Sequence, residues 1–186
     1  MSRLTIYPDQ HPEDITLDTG DGAVITKELN DIGVRFERWK TQSPLSADAD
    51  NDAVMDAYAD DIQRLKDEHG YQSVDVIRLT TDHPQKAELR DKFLSEHTHS
   101  EDEVRFFVEG AGIFYLRVEG RVYMTLCERG DLISVPTDTR HWFDMGAEPH
   151  LTCIRLFTSK DGWVADYTGD VIAEKFPKFE QKASAA

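Results

Sequence analysis

From Val104 to Phe157 the sequence is a succession of short apolar stretches broken by turn residues, and that rhythm restricts the fold more than any other feature. Val104–Val108, Ile113–Val118, Arg121–Leu126, Asp131–Val135 and Leu151–Phe157 each read as a strand. Glu109-Gly110, Glu119-Gly120, Arg129-Gly130 and a loop over 136–150 separate them. The two-residue link Glu119-Gly120 is a hairpin signal. Strands this short and this regularly spaced pair antiparallel and curl into a barrel or jelly roll, because closure removes exposed strand edges. The fold class expected is therefore mainly β with a few flanking helices.

Earlier in the chain the pattern is mixed. Leu4–Tyr7, Val34–Trp39 and Ser73–Leu79 have strand character, and Asp18–Gly22 is a turn. A short helix is expected to begin over Glu28–Ile32 and to stop at Gly33. Residues 41–52, rich in Ser, Asp and Pro, read as a loop. Between Asn51 and His69 the apolar period changes to three or four, at Val54, Tyr58, Ile62 and Leu65. That predicts one helix, capped by Asp50 or Asn51 and ended by Gly70, lying over one side of the sheet. A second short helix is expected over 86–94. Gln181–Ala186 has no apolar anchor and is expected to be disordered.

At 186 residues the chain fits one domain. It divides into a helix-and-strand extension over about 1–70, a barrel over about 71–160, and the tail. Thirty-six acidic against 21 basic residues give a formal charge of −15, which argues against nucleic acid and anionic membrane as partners. No apolar run has a membrane helix's length, and the first residues lack a signal-peptide core, so a cytoplasmic protein is expected. The acidic surface favours a soluble monomer. Cys127 and Cys153 both sit in apolar strand runs and read as reduced core residues.

The chemistry concentrates around Glu96-His97-Thr98-His99 and continues to Glu103. The pattern is His97-x-His99-x3-Glu103-x6-Gly110, followed by Gly130-x5-Pro136-x4-His141. Histidines two apart on a strand share a face, close enough to converge on one ion. Three imidazoles and one carboxylate would suit Fe(II), Ni(II) or Mn(II). If Glu103 faces inward, alternation carries Arg105 and Phe107 inward and Val104 and Phe106 outward. A buried guanidinium needs an anionic partner, either Glu103 or a bound anionic substrate. By the same alternation Cys153, Arg155 and Phe157 share a face, making Arg155 a second candidate for the pocket or, alternatively, for a rim pair. Trp142, Phe143 and Trp163 are candidates for an apolar wall. His11, His69, His83 and His150 read as surface residues.

Those residues resemble the acireductone dioxygenases of methionine salvage. The resemblance rests on Lys92-Phe93-Leu94, the run from His97 to Gly110, and Val135-Pro136 with Arg140-His141-Trp142-Phe143-Asp144. It extends to Phe36-Glu37-Arg38-Trp39, Gly112-x-Phe114-Tyr115, Ile154-Arg155 and Gly162-Trp163, covering roughly residues 30–176. The usual cupin Pro-x-Gly is here Pro136-Thr137-Asp138. The resemblance implies a cupin, a double-stranded β-helix or jelly-roll barrel. One Fe(II) or Ni(II) per chain would be bound by His97, His99, Glu103 and His141. It also implies a small-molecule acireductone and O2 as substrates, with Arg105 steadying the substrate anion. Glu96 would give a hydrogen bond behind the ligands, and Phe93, Phe143, Arg155 and Trp163 would line the pocket. Three imidazoles and one carboxylate satisfy both metals equally by softness. The alternatives are another metal-dependent cupin dioxygenase or isomerase, or a metal-binding cupin without catalysis.

Overall fold

The computed structural model describes residues 1–41, 49–159 and 164–180. Most of the 41–52 loop, Gly162-Trp163 and the tail from Gln181 lie outside the described residues. In chain order the elements are β1 (Arg3–Pro8), β2 (Leu17–Thr19), α1 (Gly22–Asp31), β3 (Arg35–Arg38), α2 (Asn51–Ala57), α3 (Ala59–His69) and β4 (Ser73–Leu79). Then come α4 (Lys86–Leu94), β5 (His97–Thr98), β6 (Glu103–Val118), β7 (Arg121–Glu128), β8 (Asp131–Val135), β9 (Arg140–Asp144), β10 (Leu151–Phe157) and β11 (Asp166–Tyr167). A 3-10 turn over Ile172–Lys175 follows. The expected mainly-β cupin architecture, with helices at its flanks, is what the chain adopts.

All described strand pairs are antiparallel, and one strand organises them. The first half of β6 lies between β10 and β8, in a sheet ordered β4-β10-β6-β8-β3. Its second half lies between β7 and β9, in a sheet ordered β11-β5-β9-β6-β7-β1-β2. Two strands separated at Glu109-Gly110 were expected; they are one strand that changes sheet. At the change Gly110 has φ +75°, and the register with β10 shifts between Thr152 and Cys153. The extra residue reverses the alternation. Before it Arg105 and Phe107 face inward while Val104 and Phe106 pack outward. After it Phe114 and Leu116 face inward while Ile113 and Tyr115 pack outward. Strands β1 and β3 from the first 70 residues join the two sheets through β7 and β8.

Three apolar clusters follow from this. The barrel interior holds Phe107, Phe114, Leu116, Ile133, Val135, Phe143 and the two free cysteines, Cys127 and Cys153, as expected. The outer face of the β10-β6-β8 sheet is covered by Val54, Tyr58, Ile62 and Leu65, against Phe106 and Ile154. The expected single helix over 51–69 is two, because Tyr58 leaves helical geometry (φ −119°, ψ 20°) and turns its ring edge onto Phe106 at 4.8 Å. Asp50 caps the first piece and Gly70, in the left-handed region, ends the second. The outer face of the other sheet is covered by the C-terminal residues Ile172, Ala173 and Phe176, packed on Tyr115 and Trp142. Helix α1 starts earlier than expected, because the Asp21 carboxylate accepts hydrogen bonds from the amides of Ala23 and Val24. The expected 136–150 loop contains β9, a strand whose His141 lies opposite Leu116 of β6 and His97 of β5.

Candidate metal centre

Two short strands and one long one bring the motif together. Strand β5 is only two residues, so His97 lies on it and His99 just past its end. Strand β9 supplies His141 and β6 supplies Glu103 and Arg105. Each offers a ligand nitrogen within 4.8 Å of the other two, and all three histidines are buried. The Glu103 carboxylate Oε2 lies 3.0 Å from His141 Nε2 and 3.5 Å from His99 Nε2.

Every one of these imidazoles is held from behind. Nδ1 of His97 donates to the carbonyl of Ser95 at 2.7 Å, and Nδ1 of His141 to that of Thr139 at 2.8 Å. Nδ1 of His99 donates to the carbonyl of Val164 at 2.8 Å, 65 residues away. A proton fixed on Nδ1 leaves Nε2 as the free donor, the tautomer a metal requires. Burial pushes Glu103 upward, but Arg105 first, and then the His141 and His99 rings beside it, hold it well below the usual carboxylate range. It is therefore an anion at neutral pH. The donor set fits one divalent first-row ion: three neutral nitrogens, one carboxylate, and a buried setting.

Beside this cluster Arg105 is almost completely buried. Its Nε is 2.6 Å from Glu103 Oε1, a close charge contact without the alignment of a hydrogen bond. Its guanidinium carbon lies 4.7 Å from the ring centre of Phe143, 5.2 Å from that of Phe114 and 5.7 Å from that of Phe93. Phe93 reaches this place from α4, which Arg90 ties to the buried Asp144 through two hydrogen bonds.

Other candidates lie elsewhere. Arg155 stands opposite Arg105 across β10 and β6, but its guanidinium makes two hydrogen bonds to Asp75, so it sits at the rim. Trp142 is not in the wall: alternation on β9 turns it outward, where it stacks on Tyr115 at 5.1 Å. Glu96 is buried yet does not back the histidines. It precedes His97 on the opposite face, where Arg117 and Thr168 bond its carboxylate. Trp163 lies outside the described residues. Phe114 was missed because the reversal at Gly110 decides its direction, and the Val164 carbonyl because a backbone oxygen leaves no mark in a sequence.

The metal-free centre has its own pH dependence. Burial first, and then the charge of His141, push His97 down from 6.5 to about 4. Between those values the unfolded chain takes up a proton that the folded chain refuses, so stability falls as pH drops from 6.5 towards 4. The loss is about 3 kcal/mol. For His99 burial works downward, but Glu103 outweighs it and the value is raised. Its contribution is present below 6.5 and fades as pH rises through the folded value, so the two windows meet without overlapping. Thermal melts of the metal-free protein from pH 4 to 7 should show the His97 slope, and His97→Gln should lack it. Equal slopes would refute the assignment.

An antiparallel barrel that gathers three histidines and an ionised glutamate on its inner surface is a metal-centre cupin. A family model described as "ARD/ARD' family" matches residues 3–165. Acireductone dioxygenase of Parvibaculum lavamentivorans is 60% identical over 98% of this chain and 99% of its own. That of Pseudomonas aeruginosa is 56% identical over 97% and 99%. Among solved structures, acireductone dioxygenase from Bacillus anthracis with a cadmium ion in its active centre superposes with a TM-score of 0.78 at 30% identity, covering 90% of this chain and 98% of that one. The chain belongs to the ARD/ARD′ family of acireductone dioxygenases.

Proposed function

We propose that this chain is an acireductone dioxygenase of methionine salvage. It cleaves 1,2-dihydroxy-3-keto-5-methylthiopentene with O2. With Fe(II) the products are formate and 2-keto-4-methylthiobutyrate; with Ni(II) they are formate, carbon monoxide and 3-methylthiopropionate. The observation that carries this reading is the convergence of His97, His99 and His141, with Glu103 against the last two, beside a buried arginine, in a chain of this family.

His97, His99, Glu103 and His141 are the residues that would hold one ion. When bound, that ion supplies Lewis acidity for an ene-diol's two oxygens and the redox chemistry that O2 requires. Arg105 offers a desolvated positive charge to the substrate anion, worth far more there than in water. Phe143 and Phe93 give an apolar wall beside it, suited to the methylthio end, and exclude water from the reacting carbons. Arg155, held by Asp75 at the rim, would meet the anion as it enters. Arg105→Met, with its metal content intact, is expected to lower kcat/KM about 10- to 100-fold, the loss of one charge-assisted contact. An unchanged kcat/KM would remove Arg105 from the site.

In this reading residues 1–186 act as one cupin domain, a monomer in the cytoplasm. The acidic composition supports that, and no described helix is long and apolar enough to cross a membrane. The test of function is anaerobic addition of the acireductone to protein loaded with Fe(II) or Ni(II), then O2, then product analysis. Formate with the keto acid from the iron form, and formate with carbon monoxide from the nickel form, are expected. Neither product set from either form would overturn the reading.

A further inference from the structure

The three histidines are not held alike. His97 and His141 each donate Nδ1 to the carbonyl two residues before them, so those locks travel with their own strands. The lock on His99 belongs to a different part of the chain, the stretch that contains Val164. Whatever fixes that segment fixes which nitrogen His99 turns inward.

The segment is fastened by a polar cluster on the outer face, away from the histidines. Asp166 and Tyr167 pair with Thr98 and His97. The Thr168 amide donates to the Glu96 carbonyl at 3.0 Å, and its hydroxyl donates to the Glu96 carboxylate at 2.7 Å. Nη1 of Arg117 then bonds both Glu96, at 3.2 Å, and Asp170, at 2.8 Å, while its Nε holds Asp9 at 3.0 Å. Glu96 is fully buried and Arg117 is 14% exposed. One guanidinium thus ties the residue before His97 to the segment that carries the His99 lock. Beyond it, Ile172 and Phe176 are buried against Trp142, and the Tyr115 hydroxyl donates to the Pro177 carbonyl.

We infer that Arg117, Glu96, Asp170 and Thr168 form a clamp that positions the metal centre, by holding Val164 against His99 so that Nε2 of His99 stays available to the ion. They are positioning residues, since their side chains bond one another and Asp9 on the face opposite the histidines. The inference rests on His99 being a ligand. It also accounts for a buried glutamate beside a ligand that faces away from the centre. Asp170→Asn and Thr168→Val weaken the side-chain hold on the segment while its backbone pairing remains, and they leave no buried charge unpaired, because Arg117 still has Glu96 and Asp9.

The test compares Asp170→Asn, Thr168→Val and their double variant with wild type and with His99→Ala. Ni(II) affinity is measured by chelator competition, the ligand field by the visible spectrum of the Co(II)-loaded protein, and the fold by melting of the metal-free forms. The double variant is expected to bind Ni(II) about 10- to 100-fold more weakly, the range seen when a partner behind a ligand is lost. Its Co(II) spectrum should shift towards that of His99→Ala, and its metal-free melting temperature should stay within a few degrees of wild type. Wild-type affinity and spectrum in the double variant, with His99→Ala impaired, overturn the clamp alone. Wild-type affinity in His99→Ala overturns the ligand reading itself.

Discussion

His141→Ala is expected to bind Ni(II) or Fe(II) more than about 100-fold more weakly than wild type, beyond what losing a partner behind a ligand does. Turnover should fall with it to the level of metal-free protein. The imidazole stands opposite both His97 and Leu116 in the sheet and 3.0 Å from Glu103, so its loss opens one side of the centre and removes the nearer of the two imidazoles beside the carboxylate. Metal content per chain by elemental analysis, alongside turnover of the reloaded protein, reads both effects. A variant that still holds one ion per chain would show that His141 is not a ligand. The fold should persist, because the interior apolar cluster around Phe114 and Phe143 is untouched.

Gly110→Ala is expected to have the largest effect on stability. A Cβ there would lie 1.7 Å from the His150 carbonyl oxygen and 2.8 Å from Leu151 Cα, and neither is a side chain that could turn aside. The backbone is also left-handed, at φ +75°, which costs an L-residue about 1–2 kcal/mol by itself. Relief would require β10 to move off β6, so a total above about 4–5 kcal/mol is expected, comparable with the whole stability of many domains. Gly120→Ala is the control: its φ is +73°, yet a Cβ there meets nothing within 4 Å. It should lose only the conformational part. Urea midpoints would compare the two, and similar midpoints would mean that close approach of the strands is not the cause.

The sequence revealed the core of the site because the signals were local. His97, His99 and Glu103 lie within seven residues, and alternation correctly predicted that Arg105 and Phe107 share their face. The turn residues around Gly120 and Gly130 marked the strands that carry the rest. What stayed hidden was non-local. Nothing in Glu109-Gly110 distinguishes a break between strands from a bulge inside one, since a left-handed glycine serves both. That one ambiguity concealed both the course of β6 and the inward turn of Phe114. Glu96 was misplaced for a related reason. Its nearness to His97 in sequence pointed to the centre, whereas on a strand the preceding residue takes the opposite face. Arg155 was legible to the face but not to its partner, because Asp75 is 80 residues away.

The single ribbon of β6 carries a consequence for how the centre comes apart. Amides along Val104–Phe106 and Ile113–Leu116 are flanked by neighbours on both sides, and such amides exchange with solvent only when the whole barrel opens. His97 and His99 arrive instead on a two-residue strand, next to another equally short one. The centre thus joins the slowest-exchanging part of the molecule to some of its shortest strands, so local opening is expected first on the histidine side, with Glu103 and Arg105 still in place.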